Sequence, residues 1–216
     1  MIKAVIFDMD GVLIDSEPYW KQAEVEIYPT VGLHLTHADC MQTMGMRIDK
    51  AVEYWYQRQP WSMPPTIDDI RQQIVDRVTE LIGEQGQPMT GVGEALAWIR
   101  QRQLPIAIAS SSDLSMIEAV VAKLAIQDYF HLLYSAEFEP YGKPHPGVYL
   151  TAAAKLGIAP TDCLVIEDSM RGILAAKAAE MRCVAVPDPS LHGDPRLSIA
   201  DWVLPSLDHL PTIFKE

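Results

Sequence analysis

Asp8 and Asp10 stand two residues apart at the end of the run Ile2-Lys3-Ala4-Val5-Ile6-Phe7, and Gly11 follows them. Apart from Lys3 the run is continuously apolar, which is the pattern of a strand buried on both faces of a parallel sheet. Such a strand gains no stability from ending in two carboxylates, because a buried unpaired charge costs several kcal/mol or shifts its pKa. Aspartate is also an ordinary turn former, so the D-x-D pattern alone would say little. The strand before it and the glycine after it give it meaning. Open α/β sheets place their active sites at the carboxyl ends of their strands. Two carboxylates in that position can share a hard cation and still perform separate tasks.

Three other segments carry polar groups in comparable positions. Ile106-Ala107-Ile108-Ala109 runs into Ser110-Ser111-Ser112 ahead of a predicted helix. These serines could simply cap that helix, or they could offer hydroxyl and backbone donors to a phosphate. Gly142-Lys143-Pro144-His145-Pro146 holds a lysine in a proline-stiffened loop. Taken alone, Lys143 reads as a solvated charge, and His145 as a brace for its loop. Leu164-Val165-Ile166 ends in Glu167-Asp168-Ser169. Either acid could cap the next helix, but two acids here beside two at the first strand end point to a divalent-metal site. His34, His37, His131, His192 and His209 are scattered singly and support no triad or metal claim.

The elements that must position these groups alternate between strand and helix. From Gly91 onward the pattern predicts helices over 92–103, 114–124, 147–156 and 170–179. Strands are predicted over 104–110, 132–135, 163–166, 183–186 and 202–204. This repetition requires a parallel sheet with right-handed crossovers. Residues 17–84 contain no good strand. Amphipathic patterns there predict helices over 19–28, 48–57 and 67–82, and Thr66 with Asp69 reads as a helix start. The expected architecture is therefore α/β. A Rossmann-like parallel-sheet core (1–16 and 85–216) carries helices on both faces, and an inserted all-helical cap (17–84) emerges beside the reactive carboxylates, placed to act as a lid. Linkers are expected over 14–17 and over 83–88, the second containing Gly83, Gly86 and Pro88.

The 216 residues are 49% hydrophobic, enough for a full core. Lys and Arg number 17 against 29 Asp and Glu, a formal net charge of −12. That balance argues against nucleic acid or an anionic membrane as partner, since both need clustered cations. An anionic substrate must then be drawn in by a few local cations or a metal. Cys40, Cys163 and Cys183 are odd in number and far apart, which reads as reduced core thiols. No run approaches the ~18 apolar residues of a membrane span, and no basic-then-apolar leader opens the chain. The expectation is a cytoplasmic protein; a monomer is the default.

Taken in order, these segments resemble the four motifs of the haloacid dehalogenase-like hydrolases. Phe7-Asp8-Met9-Asp10-Gly11-Val12 is similar to the first, Ser110 to the second, Lys143 to the third and Glu167-Asp168 to the fourth. The insert resembles the cap of the β-phosphoglucomutase-like subfamily. Asp15-Ser16-Glu17-Pro18, Gly45-Met46-Arg47-Ile48-Asp49 and Lys143-Pro144-His145-Pro146-Gly147-Val148-Tyr149 resemble bacterial phosphatases that act on 2-deoxyglucose 6-phosphate and hexitol phosphates.

The resemblance implies that Asp8 is a nucleophile forming an aspartyl-phosphate, and that Asp10 is the acid and base for the leaving oxygen and the hydrolytic water. Mg²⁺ is the implied cofactor, held by Asp8, the backbone carbonyl of Asp10 and Asp168, with Glu167 acting through water or a neighbour. Met9, Ser110, Ser111 and Lys143, with Asp8 and Asp10, are implied to meet the substrate phosphate, a small-molecule ester. Arg47 is either a substrate contact or a solvated helix-start charge. Trp20, Met44, Met46 and Trp55 are expected in the core. A mutase of the same subfamily is the nearest rival, but mutases carry a histidine where this chain has Trp20. A dehalogenase lacks the second acid, and a sugar-phosphate-binding module without turnover needs neither Asp10 nor a cap.

Overall fold

The computed structural model describes every residue except Met44, Pro189, Ser190, Lys215 and Glu216. Six parallel strands form one sheet: β1 (Ala4–Phe7), β2 (Ile106–Ser110), β3 (Leu132–Ser135), β4 (Cys163–Glu167), β5 (Arg182–Ala185) and β6 (Trp202–Val203), in the order β3-β2-β1-β4-β5-β6. The expected α/β class with a Rossmann-like parallel sheet is what the chain adopts. Alternate residues of β1 face opposite cores. Val5 and Phe7 join one buried cluster, Ala4 and Ile6 the other. That is why the strand reads as a continuous apolar run.

Helices cover both faces. α5 (Val92–Gln101) and α6 (Leu114–Lys123) contribute Leu96, Ile99, Ile117 and Val120 to the first cluster. α7 (Gly147–Leu156) and α8 (Met170–Ala178) contribute Tyr149, Ala152, Ile173 and Ala176 to the second. β1 lies between β2 and β4, where the chain's progress across the sheet reverses direction, and this topology opens a crevice at the carboxyl ends of the strands.

Residues 17–85 hold α1 (Glu17–Ile27), α2 (His37–Cys40), α3 (Ile48–Arg58) and α4 (Ile67–Gln85). The short α2 was not legible from periodicity. A reciprocal Thr36–Asp39 cap creates it, with Asp39 N–H donating to Thr36 Oγ1 and Thr36 N–H to Asp39 Oδ2. The same device starts α4 at Thr66 and Asp69. Gly83, expected in a linker, lies inside α4, because buried Leu81 and Ile82 carry the helix past it. The two connecting strands run side by side: Asp15 N–H donates to the Gln87 carbonyl at 3.3 Å and Met89 N–H to the Leu13 carbonyl at 3.1 Å. β2 begins at Ile106, later than expected. Gln103 adopts a left-handed φ of 56°, and Pro105 has no N–H to give the ladder. Among the described residues no helix is long and apolar enough to cross a membrane.

Candidate active site

The four predicted strand-end segments converge. Asp8, Asp10, Ser110, Ser111, Lys143 and Asp168 line one cavity between the sheet and the helical insert. β1 ends at Phe7, so Asp8 is the first residue beyond the ladder, and its N–H still donates to the Ile166 carbonyl at 2.9 Å. Its Oδ1 accepts the Met9 N–H at 2.7 Å and its Oδ2 lies 3.0 Å from Lys143 Nζ. Burial raises the Asp8 pKa to about 7 against the pull of the Lys143 ammonium, with Glu167 and Asp10 adding repulsion.

Lys143 is not the solvated charge that its loop suggested in isolation. It is buried, and Nζ donates to Glu167 Oε1 at 2.7 Å. Burial opposes its charge, but Asp8 and Glu167 together hold the ammonium above its ordinary range. Glu167 is fully enclosed. Oε1 also accepts the Tyr149 hydroxyl at 2.5 Å, and Oε2 accepts the N–H groups of Asp168 and Ser169 and the Ser169 hydroxyl. Gly172 makes room for this carboxylate, since a Cβ there would overlap it. With both oxygens so occupied, Glu167 acts as a fixed anion that orients Lys143. Tyr149, in the first turn of α7, stood in a segment that carries the closer resemblance, but nothing in the sequence assigned it a role of its own.

Asp168 differs. Among the described residues no hydrogen-bond donor reaches its carboxylate, and burial, Glu167 and Asp8 push its pKa well above the usual range. One oxygen each from Asp8, Glu167 and Asp168 lies within 4.8 Å of the others. Three buried carboxylates against one lysine form a site that a hard divalent cation would stabilise, and an all-oxygen donor set suits Mg²⁺. Gly11, with φ of 70°, lets the chain turn against Asp168, where any side chain would collide with the carboxylate.

Asp10 is held from two sides. Oδ1 accepts the Ser16 hydroxyl at 2.5 Å and the Trp20 indole N–H at 3.1 Å. Oδ2 accepts the Ser112 hydroxyl at 2.6 Å and, more weakly, Ser110 at 3.4 Å. Ser112 therefore meets Asp10, a role the sequence did not assign it. The serines do not cap α6; Asp113 occupies that position and pairs with Arg71 of α4 at 2.7 Å.

Several expectations need correction. Arg47 does not line the cavity. Nε and Nη2 donate to the two oxygens of Asp49, and Nη1 donates to the carbonyls of Ala136 and Glu139 at 2.9 Å, so the guanidinium fastens the insert to the loop after β3. Met9 offers only backbone here, since its side chain is fully buried in the core. Trp20 and Met46 pack against the first core cluster and also line the cavity; Trp55 is in the core as expected, and Met44 lies outside the described residues. Cys40, although a buried free thiol like Cys163 and Cys183, also lines the cavity. His145 does brace its loop, its Nδ1 accepting the Gly147 N–H at 3.1 Å.

An enzyme built on a doubly wound sheet, with aspartates beyond its first and fourth strands and a lysine between them, is the class this geometry defines. Residues 2–180 match the haloacid dehalogenase-like hydrolase family. The chain belongs to that family and is a phosphoric monoester hydrolase. It is 43% identical to hexitol phosphatase B of Escherichia coli over 210 residues, covering 97% of this chain and 94% of that protein. It is 28% identical to the E. coli fructose-1-phosphate phosphatase YqaB over 84% of this chain and 95% of that one. Among solved structures, β-phosphoglucomutase from Clostridium difficile superposes with a TM-score of 0.82 at 25% identity, covering 97% of this chain and 93% of that one. CbbY from Rhodobacter sphaeroides gives 0.89 at 23% identity over 97% and 96%, a likeness of fold.

Proposed function

We propose that the protein hydrolyses small sugar phosphates, of the hexose 6-phosphate, 2-deoxyglucose 6-phosphate or hexitol phosphate kind, through a phosphoaspartyl intermediate on Asp8. The observation that carries this reading is the placing of two aspartates with different surroundings in one cavity. Asp8 is gripped by Lys143, and Asp10 is held by hydroxyl and indole donors from both the sheet and the insert. The similarity to a hexitol phosphatase along 97% of the chain supports the substrate class.

In this reading an Asp8 oxygen attacks phosphorus and the bond to the sugar oxygen breaks, that oxygen taking a proton from Asp10. Asp10, now a carboxylate, accepts a proton from the water that attacks the phosphoaspartate, which restores Asp8 and releases phosphate. Lys143 and the Ser110 and Ser111 groups stabilise the equatorial phosphoryl oxygens. Asp8, Asp168 and the backbone carbonyl of Asp10 would hold Mg²⁺, which when bound offsets the repulsion between carboxylate and phosphate; Glu167 fixes Lys143 beside them. The helices of 17–84 act as a cap that closes the cavity. The same reading places the enzyme in the cytoplasm, in keeping with three unpaired buried thiols.

The test is phosphate release from a panel of sugar phosphates with Mg²⁺. Hexose and hexitol phosphates should lead, and Asp8→Asn should lower kcat by about a thousandfold or more. A phosphopeptide as best substrate, or an Asp8→Asn enzyme within tenfold of wild type, would overturn the reading.

A further inference from the structure

α1 presents Glu17, Trp20, Lys21 and Glu24 on one helical face, at the i, i+3, i+4, i+7 spacing, and all four line the cavity that holds Asp8 and Asp10. Trp20 is engaged with Asp10. Glu24 has no place in the hydrolytic chemistry, yet its carboxylate is buried in the cavity wall, only 6% exposed. Its neighbours are the Cys40 thiol and Tyr28, whose buried hydroxyl has no hydrogen-bond partner among the described residues. A thiol is a weak donor, so the Glu24 oxygens retain accepting capacity toward a bound molecule.

The cations of the cavity are few. Among its described lining residues, Lys21 is the one positive side chain besides Lys143, and it already pairs with Glu17 at 3.3 Å. Asp15 and Asp188 add further carboxylates to the same wall. Arg47, the insert's other candidate for meeting an anion, is turned away to Asp49 and two core carbonyls. Beyond the phosphoryl site the wall is therefore rich in acceptors and short of free positive charge. Hydroxyls suit it, because each can donate to a carboxylate; a second phosphate or a carboxylate does not, because it would be desolvated against like charge.

We propose that this face of α1 reads the leaving group, with Glu24 accepting hydrogen bonds from an uncharged polyhydroxylated tail, and that it rejects phosphate esters whose tail carries a second anion. The inference rests on the phosphatase reading above. It assigns specificity to a residue that meets the leaving group and not the phosphoryl group.

The test compares kcat/KM for sorbitol 6-phosphate, 6-phosphogluconate, fructose 1,6-bisphosphate and acetyl phosphate, in wild type and Glu24→Gln, with saturating Mg²⁺. Wild type should favour sorbitol 6-phosphate over both dianionic-tail and carboxylate-tail esters by roughly 100-fold, the scale of like-charge juxtaposition. Glu24→Gln should lower the ratio of sorbitol 6-phosphate to acetyl phosphate by about tenfold, the scale of one hydrogen bond to a charged group. Should Glu24→Gln fail to fold, Glu24→Asp, which keeps the charge and shortens its reach, should lower the same ratio. The inference is overturned if wild type handles the anionic-tail esters within about threefold of sorbitol 6-phosphate. It is also overturned if the folded Glu24 variant loses activity equally on all substrates. Activity on acetyl phosphate with none on any sugar phosphate would instead refute the sugar-phosphatase reading itself.

Discussion

Glu24 shows how a single side chain can be placed against the stability of the fold. Burial raises its pKa to about 7 from 4.5, opposed by its bond with the Cys40 thiol and reinforced by Glu17. The folded protein therefore holds a proton on Glu24 between about pH 4.5 and 7 that the unfolded chain has released. Stability must fall as pH rises through that window, because the native state binds more protons there. Comparing urea unfolding at pH 5 and pH 8 should show wild type losing more stability than Glu24→Gln, by at most about 3 kcal/mol for a shift of this size. Equal losses in both proteins would mean that Glu24 is better solvated than its position implies. Glu167 is the opposite case. It is equally enclosed, but Lys143, Tyr149 and the Asp168 and Ser169 N–H groups keep it ionised below the usual range despite burial.

At the scale of elements, the joint between the insert and the sheet is made of a few directional contacts. Arg47 reaches the carbonyls of Ala136 and Glu139, Arg71 reaches Asp113, and Lys123 reaches the Gly83 carbonyl at 2.7 Å. The hydroxyl and indole that hold Asp10 from one side come from Ser16 and Trp20, at the start of α1. Asp10, the acid and base of the proposed mechanism, is thus held by both parts, and docking of the insert sets its orientation. Arg47→Ala removes two charge-assisted bonds across this joint without touching the cavity. It should lower kcat/KM by about tenfold on sorbitol 6-phosphate and acetyl phosphate alike, with the ratio between them changed by less than about threefold. A selective loss on one of the two would return Arg47 to the substrate.

For the molecule as a whole, the site concentrates negative charge in a chain that already carries a formal net charge of −12. Asp8, Glu167 and Asp168 are buried together with one lysine. A native state held back by such repulsion gains from any cation that binds it and not the unfolded chain. Mg²⁺ at a hundred times its dissociation constant should add about 2.7 kcal/mol, read as a rise in Tm over the chelated protein. Asp168→Asn should abolish that increment while raising the Tm of the metal-free protein, since it removes the carboxylate that no donor reaches among the described residues. A magnesium-dependent rise that survives Asp168→Asn would place the ion elsewhere.

The strands and the acids at their ends were legible in the sequence for local reasons. A parallel strand buried on both faces must be apolar along its length, so Asp8 and Asp168 stood out where Ala4–Phe7 and Cys163–Glu167 ended. Thr66 with Asp69 and an amphipathic pattern likewise announced α4, and the lack of a good strand candidate, with three amphipathic patterns, marked 17–84 as helical. What periodicity cannot carry is which side chains meet across elements. Taken alone, Lys143 read as a surface charge, and only the resemblance marked it for the site; the fold puts Asp8 and Glu167 beside it, across sequence separations of 135 and 24. Arg47 read as either a substrate contact or a solvated helix-start charge, and the fold gives its guanidinium to Asp49 and two distant carbonyls. Trp20 packs against the core as expected, but only the turn at Ser16 brings its indole N–H to Asp10. A hydrogen bond is satisfied by whichever partner the packing delivers, and that choice belongs to the tertiary structure.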